Sequence, residues 1–222
     1  MQIAIFLYDH MTALDAVGPY EVLSRLPAAE PVFVAEQRGP IGCDTHHLAL
    51  VADAAIDEIT SPDILFVPGW SGARQTALLS DGAVHDWLRA VDEHTTWTTS
   101  ACTGSIILAS AGLLRGRRAT THWLAVDRLA DFGAIVADER VVLDGKYVTA
   151  AGVSAGIDMA LTLAAEIAGE QTAQAIQLGI EYHPQPPFDA GSPATAPAEI
   201  VTAMTAIKDF IVYGGDATTW AP

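Results

Sequence analysis

TTWTTSACTGSIILASAGLL, residues 95–114, decides the fold. Its first six residues, TTWTTS, are mostly β-branched and read as a short strand. The run then enters ACTGSIILASAGLL, an apolar helix with Gly112 near its end. Cys102 falls at the turn between strand and helix. The order Ser100-Ala101-Cys102-Thr103-Gly104 is S-x-C-x-G, the pattern of a nucleophile elbow with sulfur in place of oxygen.

Working outward, the same alternation recurs. Upstream, QIAIFLY (2–8), VFVAEQ (32–37) and DILFVPG (63–69) read as buried strands. Helical spacing over 13–26 predicts a helix stopped by Pro27, and a second helix is expected over 81–93. Residues 40–51 suggest a hairpin. Downstream, 123–133 predicts a helix ending at Gly133. RVVLDGKYVTA predicts a hairpin at Asp144-Gly145. SAGIDMALTLAAEIAG (154–169) predicts a buried helix capped by Ser154, and EQTAQAIQLGIEY predicts another. A Pro-rich irregular segment (183–197) precedes a last helix over about 198–213. Strands alternating with helices imply parallel βαβ units. The expected fold is therefore a three-layer α/β/α sandwich with a mostly parallel central sheet, one domain over 1–222.

Composition excludes several classes. Eleven basic residues stand against 27 acidic ones, a net charge of −16, so no cationic surplus serves nucleic acid or an anionic membrane. Half the 222 residues are hydrophobic, enough for a sizeable core. No apolar run reaches the roughly 18 residues of a membrane span, and MQIAIFLYDHM lacks the basic start of a signal peptide. Two cysteines make no disulfide framework, and no ligand cluster suggests a metal. A cytoplasmic protein without metal is the expectation.

In such sheets the site lies at the carboxyl ends of the strands. Three corners there carry unusual residues. At the first, the helix N-terminus behind Cys102 is expected to lower the thiol pKa, and the Thr103 amide can face an anion beside the sulfur. A buried, inert cysteine is the alternative, and it is the expectation for Cys43. At the second, Asp15 opens a helix. It serves the helix dipole, or it is an acid whose pKa a neighbouring thiolate raises. At the third, Pro68-Gly69-Trp70-Ser71-Gly72 offers amides for the rest of an oxyanion hole, or makes a plain turn. His122 opens a helix and is expected to shape a pocket, whereas His46 and His47 read as solvated.

Several segments together carry a family resemblance. LDAVGP (14–19), DILFVPG, SACTGS (100–105), SAGLLRGRRATTHW (110–123), AAGVSAGIDMALTLAAE (150–166) and PPFDAGSPATAP (186–197) resemble the ThiJ/PfpI superfamily, and within it the isocyanide hydratases. The resemblance covers nearly the whole chain. It implies a flavodoxin-like, class I glutamine amidotransferase-like fold and a homodimer. It implies Cys102 as nucleophile and Asp15 as general acid/base. Asp where many relatives have Glu points to the hydratase branch, and Thr103 where the protease-like branch has His argues against a direct Cys-His dyad. Trp70 replaces a family glycine whose amide serves the oxyanion. Gly152 and Val153 match an active-site segment, and Trp70, His122 and Trp123 are expected to line the pocket. Related domains occur fused to helix-turn-helix regulators, and a chain with no basic helix is expected to carry none. The implied substrate is a small isocyanide, with no cofactor. The rival expectations are a glyoxalase- or deglycase-like enzyme acting on small aldehydes, and a non-catalytic oxidative-stress sensor.

Overall fold

The structure, a computed structural model, describes residues 1–70, 77–208 and 212. Ser71 and Gly72 of the third corner, and the end of the last expected helix, lie outside the described residues. The chain runs β1 (Gln2–Phe6), α1 (Ala13–Leu23), β2 (Glu30–Ala35), β3 (Gly39–Gly42), β4 (Ala49–Ala52), β5 (Ala54–Ala55) and β6 (Ile64–Val67). It continues through α2 (Gly82–Asp92), β7 (Trp97–Ala101), α3 (Gly104–Ser110), β8 (Arg118–Ala119), α4 (Val126–Asp131) and β9 (Ile135–Val136). The last elements are β10 (Val141–Asp144), β11 (Tyr147–Ala150), α5 (Ala155–Ala168), α6 (Glu170–Gly179) and α7 (Ala198–Ala206).

Seven strands form the central sheet in the order β10-β11-β7-β6-β1-β2-β5. Every pairing is parallel except the β10–β11 hairpin, which turns at Asp144-Gly145 as its sequence demands. The five strands β2-β1-β6-β7-β11 have the flavodoxin order. From β1 the chain steps one way to β2, and from β6 it steps the other way through β7 to β11. Right-handed crossovers moving in opposite directions put their helices on opposite faces, which makes the sandwich. The inner strands are buried on both faces, which is why β6 reads as the unbroken apolar run ILFV. Order reverses between β1 and β6. A crevice opens there at the carboxyl ends, and loops after β1, β6 and β7 meet in it.

Several boundaries differ from the sequence reading. The first helix ends at Leu23 rather than at Pro27. Its continuation tightens into three-residue turns, with Arg25 N–H donating to Val22 O and Leu26 N–H to Leu23 O, because the residue before a proline is pushed out of the α region. Residues 123–125 form a 3₁₀ turn before α4 begins. Ser154 does not cap α5 with its side chain; its Oγ accepts instead from Arg140 Nη2 at 3.3 Å.

Candidate active site

Cys102 is the first of the two turn residues between β7 and α3, with φ +54°. A β-carbon makes that conformation costly, by about 1–3 kcal/mol, and the surroundings hold it in place. Its N–H donates to Ala150 O and Ala151 O, at 3.1 and 2.8 Å. Its carbonyl accepts from Thr121 Oγ1 at 3.0 Å and Ser105 Oγ at 3.2 Å. Gly104 permits the tight bend: a Cβ there would lie 2.1 Å from Val67 O, at the end of β6.

Asp15 reaches the same place from β1. Its helix start is tied to the loop after β6 by Thr12 N–H donating to Gly69 O at 2.9 Å. The carboxylate is fully buried, and Oδ2 accepts from Gly69 N–H at 3.1 Å. Among the described residues, Oδ1 has no hydrogen-bond partner. Burial pushes the carboxyl up to about 7, while hydrogen bonds from the Cys102 thiol and the Gly69 amide pull the other way. The upward direction agrees with the sequence reading, but desolvation outweighs any neighbouring charge.

The thiol behaves differently from the expectation. Its pKa is raised well above the usual range, first by burial and then by the Asp15 charge. The Thr103 backbone N–H opposes this without overcoming it. A helix N-terminus lowers a thiol that water can reach; Cys102 is only 3% exposed. The resting pair is therefore a thiol beside a carboxylate, with one proton to exchange between them.

The expected oxyanion amides are also corrected in part. The Gly69 N–H is held by Asp15. The Trp70 N–H donates to Thr103 Oγ1 at 2.7 Å, and that hydroxyl donates back to Trp70 O at 3.0 Å. Both amides are engaged in holding the corner together, and the Thr103 amide is the one beside the sulfur. Trp70 is 1% exposed and does not line the pocket; its side chain lies in the core, and its backbone forms an isolated antiparallel bridge with Met11.

A cavity of about 630 Å³ lies next to residues that hold the elbow; neither Cys102 nor Asp15 is among the residues that line it. His122, Trp123, Gly152 and Val153 line it, as the sequence suggested, with Leu14 beside Asp15. Thr121 and Ala151, both bonded to the Cys102 backbone, belong to the same wall. His122 Nδ1 accepts from Leu124 N–H at 3.3 Å, and burial lowers its pKa, so the ring is neutral. Cys43 is fully buried, and His46 and His47 are exposed. Sequence reasoning missed Tyr8. Its hydroxyl donates to Pro68 O at 2.6 Å, and it feels the charges of both Asp15 and Cys102. Its signal was position, at the end of the first apolar run.

A cysteine elbow and a buried Asp, meeting at the switch point of a flavodoxin-ordered sheet, define the class: an α/β protein with a thiol–carboxylate site. The chain belongs to the DJ-1/PfpI family, whose model matches residues 1–166. It is 43% identical to the isonitrile hydratase of Pseudomonas putida over 90% of this chain and 87% of that one. It is 33% identical to an HTH-type transcriptional regulator of Pseudomonas aeruginosa, over 75% of this chain and 49% of the regulator. Among solved structures, a ThiJ/PfpI family protein from Pseudomonas syringae superposes with TM-score 0.90 at 40% identity, covering 94% of this chain and 86% of that one. Drosophila melanogaster DJ-1beta shares the fold, with TM-score 0.73 at 20% identity over 81% of this chain and 97% of its own.

Proposed function

We propose that this protein hydrates isocyanides, R–N≡C, to N-substituted formamides, with Cys102 as nucleophile and Asp15 as proton carrier. The observation that carries the reading is the buried thiol–carboxylate pair in a chain 43% identical to an isonitrile hydratase along most of its length. A dyad holding one proton suits this substrate. As Cys102 passes its proton to Asp15, the sulfur adds to the terminal carbon, and Asp15 delivers that proton to the same carbon. The product is a thioformimidate, R–N=CH–S–Cys102. Asp15, ionised again, takes a proton from water as its oxygen attacks the carbon, and passes it to nitrogen. Collapse breaks the C–S bond, and the remaining water proton returns to sulfur. The sum is R–N≡C plus water giving R–NH–CHO.

The Thr103 amide supports charge on the departing sulfur. Leu14, Trp123 and Val153 give the cavity apolar walls for R. The sensor reading needs an accessible thiolate, and the burial of Cys102 weighs against it. Small aldehydes are the remaining rival substrates for the same thiol.

The test is infrared loss of the isocyanide stretch, for wild type beside Cys102→Ala and Asp15→Ala, with methylglyoxal assayed in parallel. Consumption with formamide formed, and lost in both variants, supports the reading. Turnover of methylglyoxal alone moves it to aldehydes. The reading includes a homodimer in the reducing cytoplasm, where two free cysteines persist. Leu14 and Val51 are exposed apolar side chains that such a contact could cover, and sedimentation velocity reads the mass. Among the described residues, no helix is long and apolar enough to cross a membrane.

A further inference from the structure

The PPFDAGSP motif plays no part in the proton transfers above, yet the structure brings its end to the site. Gly191, Ser192 and Pro193 line the 630 Å³ cavity together with Thr121 and Ala151. The strap around them, residues 183–197, has almost no buried side chain, and Phe188 is 78% exposed. Packing therefore does not fix its course. Pro184, Pro186, Pro187, Pro193 and Pro197 do so instead, each locking φ and removing freedom from the unfolded chain. The turn itself closes with Ala196 N–H donating to Ser192 O at 2.9 Å, and the Ser192 and Thr195 hydroxyls lie 3.2 Å apart. Thr121 and Ala151 are bonded to the Cys102 backbone, so their part of the wall is fixed relative to the elbow. What varies with this strap is how far the cavity extends from it.

We propose that the Gly191–Ser192–Pro193 turn is the specificity-determining wall of the pocket, selecting apolar R groups by their reach from Cys102. The proposal rests on the isocyanide reading for the identity of R, but not for the wall itself. Gly191 makes the test clean. A Cβ on it meets no atom within 4 Å, and its φ lies outside the left-handed region, so a side chain is accommodated there without strain. In this pocket an added side chain competes with R for the same volume. Steric discrimination in apolar pockets runs from about 10- to 200-fold.

The experiment compares wild type, Gly191→Trp and Ser192→Phe by two readouts. The first is kcat/KM for benzyl isocyanide over methyl isocyanide. The second, independent of hydration, is the rate of Cys102 alkylation by N-benzyl iodoacetamide over iodoacetamide, followed by intact mass. The expected result is that both ratios fall about tenfold or more in a folded variant. Ratios unchanged in both variants, whatever the absolute rates, overturn the proposal. A fall in the alkylation ratio with no isocyanide consumed by wild type keeps the wall and rejects the hydratase reading.

Discussion

A β-carbon on residue 69 would lie 2.6 Å from the Cys102 Cβ, and also 2.7 Å from both Asp15 Oδ2 and Thr103 N. Gly69 is thus the point at which the three corners touch. Atoms of the elbow backbone cannot yield as a flexible side chain would. Gly69→Ala is expected to destabilise the fold by about 1–3 kcal/mol and to remove most activity. Denaturant unfolding beside the infrared assay reads both, and an active, fully stable variant contradicts the geometry.

The dyad predicts a pH profile. Burial raises Asp15 to about 7 and lifts Cys102 well above the usual thiol range. Below the first value both groups hold protons and no thiolate forms by exchange. At very high pH the shared proton is gone. The kcat/KM for isocyanide is expected to rise with an acid limb at about 7 and to fall only well into the alkaline range. A limb near 4, the ordinary carboxyl value, would show that Asp15 is not the titrating group.

The same burial predicts a stability effect. Asp15 titrates at 3.8 when free and at about 7 when folded, so the folded state binds its proton more tightly. Its charge costs nothing below about pH 4, and the penalty is complete above about pH 7. At about 1.4 kcal/mol per unit, that penalty is about 4 kcal/mol at most. Asp15→Asn is expected to be inactive, yet to melt higher than wild type at pH 8 and close to it at pH 4. A variant that melts lower at both values contradicts the argument.

Thr103 holds Trp70 by both its amide and its carbonyl. Thr103→Val leaves two buried backbone groups unpaired, at about 1–3 kcal/mol each. Thr103→Ser keeps the hydroxyl and is expected to recover most of the loss in thermal melts. Equal losses in the two variants would assign the effect to the methyl group instead.

Cys102 holds φ +54°, which glycine adopts freely. Both Cys102→Ala and Cys102→Gly are expected to be inactive. The glycine variant should nevertheless be the more stable by about 1 kcal/mol in urea unfolding. The opposite order would show that the elbow is not strained.

Much was legible in the linear chain. The apolar runs of β1 and β6 and the β-branched run of β7 pointed to the parallel sheet, and Asp144-Gly145 to the one hairpin in it. Cys102 stood out because its residue pattern is local: a strand, a turn and a helix within a short stretch. Local signals blurred at boundaries, as at Leu26-Pro27 and at the 3₁₀ turn over 123–125, where tertiary contacts choose among turns of similar energy.

The sequence by itself determined the order of elements, the three corners and the chemistry each could offer, because periodicity and turn residues act over short range. Only the tertiary structure decided the protonation of the pair, since desolvation depends on what packs around Asp15 and Cys102 from separate parts of the chain. It alone showed that the Gly69 and Trp70 amides are engaged and that Trp70 faces the core. It alone carried Gly191 to the cavity lined by Thr121 and Ala151, which are bonded to the Cys102 backbone. Burial and approach between distant segments are properties of the packed chain, and no stretch of sequence contains them.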